Sequence, residues 1–163
     1  MKKFLCIMLS LIIIAGCAGC KTPDTEYRTQ VTFYYCAEDR DYAPDSSVIL
    51  SEERTVNAPH NDYKNIMQFY LDGPKGRDLR SPFPKDLTVT ELLIDGETTY
   101  ITLSTNLSYL TGIDLTLACM CIANTCFALT HTQNVDISAE HAMLDNAPSV
   151  FINYGSVLTA DIY

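Results

Sequence analysis

An α+β domain is predicted by three observations. Two helical patterns, one beginning at Tyr63 and one running from Leu115 to His131, alternate with runs rich in β-branched and aromatic residues. The central stretch from Leu71 to Ser104 reads as a helix end, a stiff proline loop and a β-hairpin, in that order. Its Asp95-Gly96 dipeptide stands between two β-rich runs, the strongest short-range hairpin signal a sequence offers.

The first residues are set aside from fold reasoning as a targeting segment, 1–16. Lys2 and Lys3 form a positive n-region, and Phe4 to Ile14 form an apolar core broken only by Ser10. That core is shorter than the roughly 20 apolar residues a spanning helix needs. Ile14-Ala15-Gly16-Cys17 resembles the bacterial lipobox, in which the cysteine is lipidated before cleavage. Cys17 is therefore the expected lipidation site, with Cys20 the weaker alternative because Cys17 would then occupy the branched-residue position. A diacylglyceryl group brings the two chains that stable anchoring requires. The mature chain is expected on the extracytoplasmic face of the cell membrane, with residues 17–29 as a lipidated tether and 30–163 as one domain.

The formal charge of −9 becomes about −11 without Lys2 and Lys3. An acidic chain with no basic patch argues against nucleic acid and against direct contact with anionic headgroups. With no tryptophan and ten tyrosines, an exposed contact surface would rely on Tyr and Phe.

Beyond the tether, Gln30 to Cys36 alternates Val31, Phe33 and Tyr35 against Thr32 and Tyr34, as a strand does. Ala37 to Ser47 is a charged loop, and Val48 to Val56 a second strand that can pair with the first and guard the edge with its charges. Asn61 or Asp62 can cap a helix whose Tyr63, Ile66, Met67 and Tyr70 share one face. Gly73 and Pro74 end it, because Gly suits the residue past a helix and Pro cannot extend one. Pro82 and Pro84 hold the SPFP segment extended.

A turn centred on Asp95-Gly96 would set Ile94 opposite Glu97 and Leu92 opposite Thr99. One hairpin face then carries Leu92, Ile94, Ile101 and Leu103 and points to the core. The other mixes Val89, Leu93 and Tyr100 with Glu91, Thr98 and Thr102, which suits either a partner surface or cover from another segment. Asp114 is the expected cap of the long helix, which is apolar nearly all round and so the most buried element. Asn124 within it reads as a satisfied structural amide. Val135 to Ala139 reads as a core strand, and Ser149 to Tyr154 as a further strand-like run.

Cys119, Cys121 and Cys126 fall on that helix. Cys119 and Cys121 point about 200° apart and cannot ligate one metal together. Cys119 and Cys126 lie two turns apart, too far for a disulfide. All three read as small buried hydrophobes. Cys36 could pair with one of them. His60, His131 and His141 are isolated in sequence, so a Cys36–His hydrolase is the weakest of the functional readings.

The order strand, strand, helix, Gly-Pro, Ser-Pro-x-Pro, hairpin, long helix, strand resembles the GerM domain of sporulation and spore germination. Leu71, Gly73, Pro74 and Lys75 carry the resemblance, with Pro82, Pro84, Asp95, Gly96, Tyr100, Leu103 and Ser104. Ile122-Ala123-Asn124-Thr125 matches the family's hydrophobic-small-Asn-Thr step. The match covers roughly residues 30–140. The cysteine-rich helix and the segment after Glu140 depart from the family pattern. The resemblance implies a small mixed or antiparallel sheet with two helices on one face, similar to the ring-building motifs of envelope secretion complexes. It also implies a non-catalytic protein that works by assembly or binding, with an envelope protein partner or self-association expected; no metal or cofactor is expected. The competing reading is a lipoprotein that binds wall glycan or a small ligand in a cleft lined by Tyr34, Tyr35, Tyr63 and Tyr70.

Overall fold

A computed structural model describes residues 26–38 and 47–156. Cys17, Cys20 and the whole targeting segment lie outside the described residues. The described chain runs β1 (Thr29–Ala37), β2 (Ile49–Val56), α1 (Tyr63–Leu71), β3 (Leu79–Arg80), β4 (Val89–Asp95), β5 (Thr98–Leu103), α2 (Gly112–Thr130), β6 (Asn134–Ala139) and β7 (Ser149–Asn153). The class is α+β. Its strands divide between two sheets, in the orders β2-β1-β3 and β4-β5-β6-β7. All pairings are antiparallel except β5–β6, which is parallel and joined through α2. One sheet was expected, because hydrophobic alternation identifies strands without naming their partners. The two-residue β3 lay hidden in the proline loop.

The helix α2 packs on β1 of the first sheet and on β6 and β7 of the second, while α1 packs on β4. Contact with both sheets explains why α2 is apolar on nearly every side. From Cys121 to Phe127 every residue is buried. Its N-cap is Thr111, with no side-chain capping bond, and Asp114 sits inside the first turn. The expected Asp114 cap is replaced by a distant one: Asp145 Oδ2 accepts from the Gly112 N–H at 2.8 Å. A carboxylate at a helix N-terminus satisfies an orphan donor and complements the dipole wherever in sequence it comes from. In α1 the cap is as expected: Asp62 accepts from the Asn65 N–H at 3.4 Å.

The hairpin turn is displaced from the expected one. Asp95 pairs with Thr98 and Ile94 with Thr99, so Gly96 and Glu97 form the turn. Gly96 has φ +56°, and a positive φ at the first central position alone is the type II′ pattern. The shift moves the pairing by two residues, so each side chain keeps its face. Ile101, Leu103 and Thr99 are fully buried and Leu92 half-buried, whereas Ile94 at the tip is exposed.

Val89 was expected outside and is inside. A bulge between Val89 and Glu91 sets Val89 opposite Leu103, reversing its parity. The bulge's backbone is served by α1: Val89 N–H donates to Gln68 Oε1 at 3.0 Å, and Lys64 Nζ donates to the Thr90 carbonyl at 2.7 Å. The core thus runs from Phe33, Tyr35 and Tyr70 through Ile66, Met67 and Ile122 to Ile101, Val135 and Ile137.

Candidate functional site

The Gly-Pro motif is held by a polar clamp on β2. Gly73 closes α1 with φ +97°, its N–H donating to the Tyr70 carbonyl at 3.1 Å. That left-handed geometry is why glycine stands there. Pro74 follows and turns the chain toward β2. Glu52 Oε1 accepts from the backbone N–H groups of Lys75 (3.0 Å) and Gly76 (2.8 Å). Arg54 pairs with Glu52, donates to the Gly73 carbonyl at 3.0 Å, and lies over the Phe33 ring at 5.0 Å. The two side chains are only 9% and 15% exposed for Arg54 and Glu52 respectively. Burial opposes ionisation of Glu52, but the hydrogen bonds from Arg54, Gly76 and Lys75 outweigh it and hold the carboxyl below its usual range.

Beyond the clamp, Pro82 and Pro84 flank Phe83, whose ring meets Tyr70 edge-on with centroids 5.0 Å apart. Tyr70 and Tyr35 bind each other's strand or helix: Tyr35 OH donates to the Tyr70 carbonyl and Tyr70 OH to the Tyr34 carbonyl, both at 2.7 Å. The cleft of tyrosines expected for a ligand is therefore largely core. Tyr35 and Tyr70 are fully buried, Tyr63 packs against the core, and only Tyr34 borders a hollow.

Asn124 is 7% exposed as a residue, its side chain has no hydrogen bond to a described residue, and its amide atoms are not among the buried unpartnered ones. It lines a hollow of about 410 Å³ with Tyr34, Phe127, His131, Gln133 and Tyr154. Its neighbour Thr125 is fully buried and accepts from the Tyr34 N–H at 3.0 Å. The motif's threonine thus joins helix to strand, and its asparagine faces space.

The outer face of the second sheet is the other exposed feature. Leu93, Tyr100, Asp136 and Phe151 are aligned across four strands. The three apolar members are 56%, 41% and 61% exposed. Asp136 Oδ1, by contrast, is a buried atom without a hydrogen-bond partner among the described residues. Polar rows border this strip: Thr102 and Ser138 on one side (3.1 Å between hydroxyls), Asn134 and Asn153 on the other (2.8 Å). Sequence reading placed Leu93 and Tyr100 here but missed Phe151 and Asp136, because the parallel alignment of β6 with β5 leaves no local signal.

The four described cysteines are not arranged as a reactive centre. Cys36, Cys119, Cys121 and Cys126 are all buried thiols. Burial pushes Cys119 and Cys126 up to about 12, and the Cys36 contact at 3.9 Å together with burial raises Cys121 well above its usual range. A nucleophilic thiol needs the opposite shift. Cys36 is fully buried whereas His60, His131 and His141 are exposed, so the hydrolase reading has no support. Among the described residues no group of three or more His, Cys, Asp or Glu side chains is placed to hold a metal ion.

Comparison with known proteins bears on the fold. The structure of the tandem GerMN domains of the sporulation protein GerM from Bacillus subtilis superposes with TM-score 0.62 at 13% identity, over 83% of this chain and 49% of that one. The first GerMN domain of the same protein superposes with TM-score 0.59 at 11% identity, over 77% of this chain and 95% of that one. This chain therefore spans about half the length of the tandem structure. No curated protein matches the sequence. The Germane family, described as sporulation and spore germination, matches residues 32–145. That match takes in β7's connecting loop but stops short of β7, and it covers most of the chain: the protein belongs to the Germane family.

Proposed function

We propose that this protein is a lipid-anchored, non-catalytic assembly protein of the bacterial cell envelope, serving sporulation or spore germination. The observation that carries the reading is the strip Leu93–Tyr100–Phe151, an exposed aromatic and aliphatic row on an otherwise polar sheet face. Aromatic anchors framed by polar residues are the composition of protein interfaces. Asp136 in the same row has one carboxylate oxygen buried and unpartnered, which suits a cation from a partner. Two copies meeting through this strip would oppose their Asp136 carboxylates, so a different envelope protein with a basic and apolar strip is the better fit than self-association. The lipobox at Cys17 supplies the anchor, and the family supplies the developmental context.

The test is site-specific photo-cross-linking from Tyr100 in the native membranes of a spore-forming host, with Tyr109 as an exposed control position elsewhere. One recurrent envelope protein captured from Tyr100 and not from Tyr109 is expected. Equal capture from both positions would overturn the assignment of the strip. Unchanged spore formation and germination after deletion of the gene would remove the developmental half of the proposal.

A further inference from the structure

The hollow around Asn124 lies apart from the strip and rests on independent observations. Its lining includes the carboxamide of Asn124, with a donor and an acceptor end, no hydrogen bond to a described residue, and polar atoms that solvent in the hollow can reach. A ligand that displaces water from both ends of this amide must both accept and donate. An acetamido group does both at once. The lining holds Tyr34, Phe127, Tyr154, Gln133, His131 and Thr132 and no Asp, Glu, Lys or Arg. A neutral ligand suits that lining, and the net charge of −9 further disfavours an anion.

The walls favour a compact ring over an extended peptide. Phe127 and Tyr154 meet edge-on at 5.3 Å, and with Tyr34 they offer apolar faces beside hydroxyl tips. The backbone of Tyr34 is already committed on both sides, its N–H to Thr125 and its carbonyl to Tyr70 OH. A peptide strand therefore has no edge to add to at this point. The volume of about 410 Å³ falls within the range of small-ligand pockets. We propose that this hollow is a binding site for an N-acetylated sugar, whose acetamido group pairs with Asn124 while its ring lies against Tyr34 and Tyr154.

The experiment uses the full chain in detergent, titrated by calorimetry with chitotriose and with cellotriose, which has the same ring number and no acetamido groups. Chitotriose should bind at least about tenfold more tightly than cellotriose. Asn124→Ala should erase that preference without lowering Tm, since it breaks no hydrogen bond within the protein. Tyr154→Ala, at a ring 55% exposed, should weaken both sugars and keeps the test valid if Asn124→Ala melts early. Equal affinity for the two sugars, undiminished chitotriose binding in both variants, or no binding up to about 10 mM would each overturn the proposal. So would preferential binding of a sugar-free wall peptide. Failure here leaves the cross-linking strip untouched, and the reverse holds too.

Discussion

The two sheets differ in what their polar groups do. In the first, the charged side chains of β2 are turned to structural use: Glu52 and Arg54 bind a loop and the guanidinium lies over Phe33, although Arg54 Nε and Arg80 Nε are left without a partner among the described residues. In the second, an acid sits among exposed apolar side chains with an oxygen unpartnered, and small polar residues merely border the strip. The contrast teaches that the first sheet's charges tie down a loop, whereas the second sheet buries Ile101, Leu103, Val135 and Ile137 on its inner face and leaves its outer face open to a partner.

Breaking the first sheet should have the largest effect. Arg54→Ala leaves Glu52 buried without its cation, and is expected to lower the unfolding free energy by about 3–5 kcal/mol, read by urea denaturation. Alkaline pH comes next. Cys119 and Cys126 stay protonated in the folded chain up to about 12, from an ordinary value of 9.0. Their folded values are raised, so the unfolded chain releases protons first and stability falls as pH rises from 9 toward 12. The slope is on the order of 1 kcal/mol per pH unit for each thiol, and pH-dependent melting of Cys119→Ala beside the parent protein checks it. Gly73→Ala forces a Cβ into φ +97° and should cost about 1–3 kcal/mol. The smallest effect on stability sharpens the comparison most: Phe151→Ser should change it by about 0.5 kcal/mol or less, while abolishing capture from Tyr100.

Much of this fold could be read from the sequence where the signal is local. The cap at Asp62, the stop at Gly73 and the inward side of the hairpin all follow from residues within one turn or one pleat of each other. The hairpin's face survived a misplaced turn because an even shift preserves parity. Val89 did not, because a bulge changes parity by one and its cause, the Gln68 amide, lies 21 residues away. Non-local partners account for the other differences: Asp145 capping α2, Glu52 and Arg54 holding the Gly-Pro loop, and β6 aligning Asp136 between Tyr100 and Phe151. Asn124 was visible as a motif, but whether an amide is satisfied depends on what surrounds it in space.

The parallel seam between β5 and β6 carries a kinetic consequence. Antiparallel neighbours such as β4 and β5 need only a two-residue turn to find each other, and that hairpin can close within microseconds. Pairing β5 with β6 requires a 3-10 turn at Thr105–Tyr109 and the whole of α2 to be traversed first. Entropy of closing so long an excursion is spent before any ladder bond forms. The hairpin and α1 should therefore mature early, and the four-stranded sheet should be completed only as α2 settles into place. During that interval β5's unpaired edge is exposed, so the cysteine-bearing helix acts as the timekeeper of the domain's assembly.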